Sequence, residues 1–170
     1  YYRLKDFDQL WDETSKARLA GMTGQLSTRM GAAIRHAGHH LHLQRSAKKL
    51  LIVITDGEPA DVDVRDPQYL RYDTKKAVEE VAKFGVTTYC MSLDPRADNY
   101  VSRIFGQKNY MVVDHVQRLP EKLPIGADVD GRFRVVVPFE VEADFLCGGR
   151  IKFGEVFDQR GYTAASNRFP

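Results

Sequence analysis

A chain of 170 residues holds one ordinary domain and at most a small appendage, and a hydrophobic fraction of 43% supplies a real core, which excludes wholesale disorder. The near-balance of 25 basic and 23 acidic residues, net charge +2, lacks the concentrated basic face of a nucleic-acid binder, and no apolar run reaches the roughly 18–20 residues of a bilayer span. The opening YYRLKDFDQLW is neither a secretory nor an amphipathic targeting segment, and two distant cysteines, Cys90 and Cys147, make neither a disulfide framework nor a zinc pattern, so the expected compartment is the cytoplasm.

In chain order, residues 1–7 alternate loosely, as the end of a strand does. Trp11 to Leu19 is a short amphipathic stretch with Trp11, Ser15 and Leu19 on one side, broken by Gly21 and Gly24. Met30, Ala33, Ile34, Ala37 and Leu41 then recur at helical spacing, with Ser27 and Thr28 where a helix cap sits. Leu50 to Ile54 is a continuous branched apolar run, the pattern of a fully buried parallel strand. It stops at Thr55-Asp56-Gly57.

Residues 60–72 are polar without period and read as a loop. A helix is expected from Asp73 or Thr74 to about Phe84, with Ala77, Val78, Val81 and Ala82 inward and Gly85 ending it. Val86 to Leu93 reads as a second buried strand, with Cys90 a small buried thiol. Residues 98–105 read as a short helix ended by Gly106, and Tyr110 to Val113 as a third strand. This alternation predicts an α/β fold with a doubly wound, mostly parallel sheet and helices on both faces. After Pro124 the pattern changes. Residues 125–131 read as a linker, and Phe133, Val135, Val137, Phe139 and Val141 alternate as in a strand. Gly148-Gly149 would turn the chain into a second strand, Arg150 to Phe157, making a β-hairpin, and residues 158–170 read as irregular.

The chemistry-bearing position is Asp56, at the carboxyl end of the Leu50–Ile54 run, where open α/β sheets place their sites. Gly57 permits a sharp turn, Thr55 and Asp56 offer oxygen ligands, and Thr28 heads the preceding helix. Hard oxygen donors on separate loops suit Mg²⁺. The competing reading is an aspartate that caps the following turn.

The segments STRMGAAIRHA (27–37), LLIVITDGEPAD (50–61), YDTKKAVEEVAKFGVTTYCMSLD (72–94) and NYVSRIFGQKNYMVVDHVQRLPEKLP (99–124) resemble, in order and at matching spacing, the C-terminal von Willebrand factor A domain of the NorD/CbbO family; RLKDFDQLWDE (3–13) resembles that family's leading segment. The resemblance implies a von Willebrand A-type domain over residues 1–124 and leaves 125–170 as a β-rich C-terminal extension. It implies a partner of MoxR-class AAA+ ATPases, the CbbQ-type ATPase among them, in nitric oxide reductase maturation or Rubisco activation. It further implies a metal-ion-dependent adhesion site in which a client's acidic side chain completes the shell of a divalent ion. Thr28 matches the second-loop threonine and Asp56 the third-loop aspartate, with Ser27, Thr55 and Gly57 as the supporting loop residues. The first-loop motif Asp-x-Ser-x-Ser occurs nowhere in the sequence, nor do the family's first strand, first helix and second strand. The chain is therefore expected to be a piece of a longer protein or to have lost that loop, which would weaken the metal site and expose a strand edge.

Other constellations carry less. His36, His39, His40 and His42 lie on one predicted helix, and His36 and His40, four apart, share a face; a transition-metal pair competes with the favoured reading of a solvated polar face. His115, after a strand, is unremarkable. Asp61 and Asp63 lack the glycine and distal glutamate of a calcium loop. Neither a Gly-x-Ser-x-Gly elbow nor a phosphate-binding Gly-x-x-x-x-Gly-Lys loop is present, so the expectation is a binding module rather than an enzyme. The alternatives are a metal-free assembly module acting through its sheet edge or β tail and, well behind both, a hydrolase using Asp56 and a metal.

Overall fold

The computed structural model describes residues 3–23, 27, 29–115, 133–136 and 139–140, the last two segments by their backbone. The elements are α1 (Glu13–Ala20), α2 (Met30–His42), β1 (Lys48–Thr55), α3 (Pro67–Lys83), β2 (Val86–Ser92), a 3₁₀ turn (Ala97–Asn99), α4 (Val101–Phe105), β3 (Tyr110–Val112), β4 (Phe133–Val136) and β5 (Phe139–Glu140).

The sheet is parallel throughout, in the order β3-β2-β1-β4, with β5 also on β1. Leu51 lies opposite Thr88, and Cys90 opposite Tyr110. Alternate residues therefore feed two apolar layers. Leu51, Val53, Val86 and Cys90 face Met30, Ile34, Leu41, Ala77, Val81, Val101 and Phe105 of α2, α3 and α4. Ile52, Ile54, Met91 and Val113 form the opposite layer, with Leu50, Tyr89, Leu93 and Met111 packed on it. Both faces are buried, as a doubly wound sheet requires. Among the described residues the helices α2, α3 and α4 pack on the first of them.

The face of α2 is set by Met30, Ile34, Ala37 and Leu41, none more than 3% exposed. Each such large side chain contributes about 1.5–3 kcal/mol by burial. Small residues let α3 approach: a β-carbon on Gly38 would lie 2.4 Å from Val81 Cγ1, and one on Gly31 would strike the Asp73 carboxylate. Arg35 ties the same crossing, binding Asp73 at 2.8 Å and Glu80 at 2.6 Å. The connection from α3 to β2 passes through Gly85 at φ 74°, a conformation that costs glycine nothing.

Several boundaries differ from those the sequence predicts. No strand forms over residues 3–7; the Asp6 carboxylate accepts from the Phe7 amide and the Asp6 amide donates to Gln9, a local turn in place of a ladder. The helix expected from Asp73 or Thr74 starts at Pro67, capped by Asp66, whose carboxylate accepts from the Gln68 amide at 2.9 Å. The cap of α2 is Arg29, with no side-chain cap bond, rather than Ser27 or Thr28. Of the side expected to carry Trp11, Ser15 and Leu19, Ser15 is buried in α1 and Trp11 and Leu19 are half-buried.

The described part of the tail joins the sheet. β4 and β5 lie parallel to β1 in one register, Lys48 opposite Phe133, Leu51 opposite Val136 and Ile54 opposite Phe139. The strand edge that sequence reasoning leaves open is thus occupied. Thr28, Gly24, Cys147, the 125–131 linker, the 150–157 strand and residues 158–170 lie outside the described residues.

Candidate functional site: the carboxyl edge of the sheet

β1 and β2 both end at the same edge, since Thr55 pairs with Ser92 in parallel register. Thr55 is 2% exposed. Its hydroxyl donates to the Gly57 carbonyl at 2.9 Å and accepts from the Gly57 amide at 3.3 Å, so Thr55 shapes the turn. This turn lifts Asp56 out of the strand into a half-buried position at the edge.

The loop after β1 is bound to the loop before α2. Ser27 Oγ accepts from the Val62 amide at 3.0 Å. Arg29 pairs with Asp61, whose side chain is 4% exposed, and reaches Asp63 at 3.7 Å. The Arg29 guanidinium and the Asp63 amide hold the Asp61 carboxyl below the usual carboxylate range. Asp61 and Asp63, unremarkable in sequence, are thereby the struts of the third loop. Arg29 was not singled out by sequence reasoning; its only signal is its place beside Ser27 and Thr28.

A second polar chain runs from that loop to the end of β2. Glu58 accepts from Arg71 Nε at 2.9 Å, and the Arg71 guanidinium lies 5.8 Å from the Tyr100 ring centre, within cation–π range. The Tyr100 hydroxyl donates to Asp94 Oδ2 at 3.3 Å. Asp94 Oδ1 accepts from the Arg96 amide at 2.9 Å, and Ser92 Oγ accepts from the Asp94 amide at 3.2 Å. Burial pushes the Tyr100 phenol well above its ordinary value, so it remains a donor. The rule that located Asp56, a carboxylate just past a parallel strand, also locates Asp94. Beside this chain lies a shallow cavity of about 320 Å³ lined by Gln68, Arg71, Tyr72, Tyr100, Arg103 and Ile104.

Of the two residues expected to hold a divalent ion, Asp56 is described, a half-buried carboxylate on the loop that Ser27 braces. It fits Mg²⁺ in kind, as a hard oxygen donor. Among the described residues no group of three or more His, Cys, Asp or Glu gathers to hold an ion. Elsewhere, Cys90 is buried, His115 is exposed, and among the described residues no helix is long and apolar enough to cross a membrane.

Comparison with known proteins bears on this edge. The profile of the von Willebrand factor type A domain matches residues 3–122. Protein NorD of Brucella melitensis biotype 1 is 38% identical over 121 residues, 71% of this chain and 19% of the relative. Protein NorD of Brucella abortus (strain 2308) is 37% identical over the same shares, and Protein NorD of Stutzerimonas stutzeri 34% identical over 115 residues, 68% of this chain and 19% of the relative. The chain thus spans about a fifth of the length of these relatives. No solved structure matches it.

Proposed function

The chain belongs to the von Willebrand factor type A domain family, and from that premise we propose that it is a non-catalytic protein-binding module of a NorD-type accessory system, docking partners on the carboxyl edge of its sheet. The observation that carries the reading is the mutual bracing of two loops around Asp56, by Ser27 on Val62 and by Arg29 on Asp61 and Asp63. A braced edge presents a carboxylate and backbone groups in a fixed geometry, which lowers the ordering cost of binding.

In this reading Asp56 and Thr28 contribute oxygen ligands to Mg²⁺, while Ser27, Thr55 and Gly57 hold their loops. When bound, the ion supplies an electrophilic position for a carboxylate from the client. Further oxygen ligands must come from outside the 27–29 and 55–57 loops. The partner system is a MoxR- or CbbQ-type AAA+ ATPase, with a client of the nitric oxide reductase or Rubisco kind. The test is capture of such an ATPase or client by the chain with Mg²⁺ and with chelator, for wild type and Asp56→Ala. Capture that needs the metal and Asp56 supports the reading; capture by a folded Asp56→Ala chain in chelator removes it. Turnover by the isolated domain, lost in Asp56→Ala, would make it an enzyme instead.

A second reading is favoured by one observation, the pairing of β4 and β5 on β1: a metal-free module that assembles through its sheet edge or β tail. It requires self-association that ignores chelator and changes when residues 125–170 are removed.

A further inference from the structure

We propose that His36 and His40 form a two-imidazole chelate for a transition-metal ion such as Ni²⁺ or Zn²⁺, separate from the carboxyl edge of the sheet. Residues four apart on a helix stack on one face, and the two rings do so with centroids 4.7 Å apart at 78°. That spacing lets both imidazoles turn a nitrogen toward a single ion. His40 is half-buried and His36 exposed, so the pair opens toward solvent on the His36 side.

The place in the fold favours a cation. α2 runs opposite to the strands, so its last turn lies at the far end from Ser27 and Asp56. His40 is roughly 15 Å along the axis from Met30 at 1.5 Å per residue. The last turn of a helix is the negative end of its dipole. The charged groups that act on His40 are Asp6 and Arg3 of the N-terminal segment, with His36 and His39 of its own helix.

The cluster also sorts itself. The His39 ring lies 6.0 Å from that of His40, and the His42 ring packs on Phe84 at 5.0 Å, which assigns His42 to packing. Two protein ligands with water completing the shell suit imidazole-preferring ions and not Mg²⁺, which takes oxygen.

The test is calorimetric titration of the chain with NiCl₂ and ZnCl₂ at pH 7.5 in a non-coordinating buffer, for wild type, His36→Ala, His40→Gln, His39→Ala and Asp56→Ala. One saturable site is expected. Loss of either chelating imidazole should weaken it on the order of 10²-fold, since the second bond of a chelate is intramolecular. His39→Ala and Asp56→Ala should leave it unchanged. His36 is exposed, so His36→Ala keeps the fold and decides the matter if His40→Gln does not fold. Non-saturable binding, or binding unaffected by His36→Ala, or binding that follows His39 or Asp56, overturns the proposal.

Discussion

The Ser27 hydroxyl and the Val62 amide meet at 3.0 Å, and this bond, beside the Arg29 pairs with Asp61 and Asp63, joins the loop entering α2 to the loop leaving β1. Its environment is exposed, so Ser27→Ala should lower global stability by no more than about 1 kcal/mol. The local effect should be larger: amide exchange at Val62 and Asp63 should accelerate and partner capture should weaken while the melting temperature barely moves. Exchange rates unchanged at those amides would remove the brace from the account of the site.

Gly38 marks a close approach of α2 to α3, and Val81 Cβ would lie only 3.1 Å from an added β-carbon. Because that neighbour is next to the backbone, the helices themselves must separate. Gly38→Ala should destabilise the fold by about 1–3 kcal/mol in denaturant unfolding. Gly57→Ala, with nothing within 4 Å, should be close to neutral; equal losses at the two positions would contradict the packing.

Stability should fall with acid in two separate windows. His40 has a folded value below its ordinary 6.5, so the unfolded chain takes up the proton first. Folding stability should therefore drop as pH falls from 6.5 to the folded value and then level off. His40→Gln should flatten that limb. Asp61 and Glu80 are both depressed by arginine partners, Arg29 and Arg35, so their contribution is complete above the ordinary carboxylate values of 3.8 and 4.5 and is lost as pH falls through the lower folded values. Denaturant midpoints measured from pH 8 to pH 2 separate the two limbs.

Removing residues 132–170 takes β4 and β5 off Lys48–Leu51 and Ile54–Thr55. The exposed ladder of β1 is a template for another strand. The shortened chain should therefore self-associate with rising concentration in light scattering, whereas the full chain should do so less. A shortened chain that stays monomeric would show that β4 does not protect this edge.

Much of this was legible because burial leaves a mark in sequence. The runs around Val53 and Cys90 sit between layers on both faces, and continuous apolar residues are the imprint of that position. Asp56 was legible for the same reason, as the first polar residue beyond a buried strand. The early turns of α3 left no such mark. Of their side chains Leu70 is buried, but Tyr69 and Tyr72 are 60% and 71% exposed, so the period is absent until Thr74 and Ala77. The overlooked signal was the pair Asp66-Pro67, a cap followed by a proline that fits the first helical position. Ser27 resembled a cap because its hydroxyl does accept a backbone amide; the amide belongs to a different loop, a partner that no local pattern can name. The parallel docking of β4 was hidden likewise, because alternation predicts a strand without its neighbour.

The pairing of β4 with β1 also orders events in time. β1 meets β2 from Lys49 to Val86, and β2 meets β3 from Cys90 to Tyr110, whereas β1 meets β4 only from Lys48 to Phe133. Closing a longer loop costs more chain entropy, and distant pairings form late. During synthesis β1, β2 and β3 also emerge before residue 133 exists. Among the described strands, β1 therefore acquires β2 on one side before β4 can reach the other, so the flank that β4 covers is the last part of this sheet to be built.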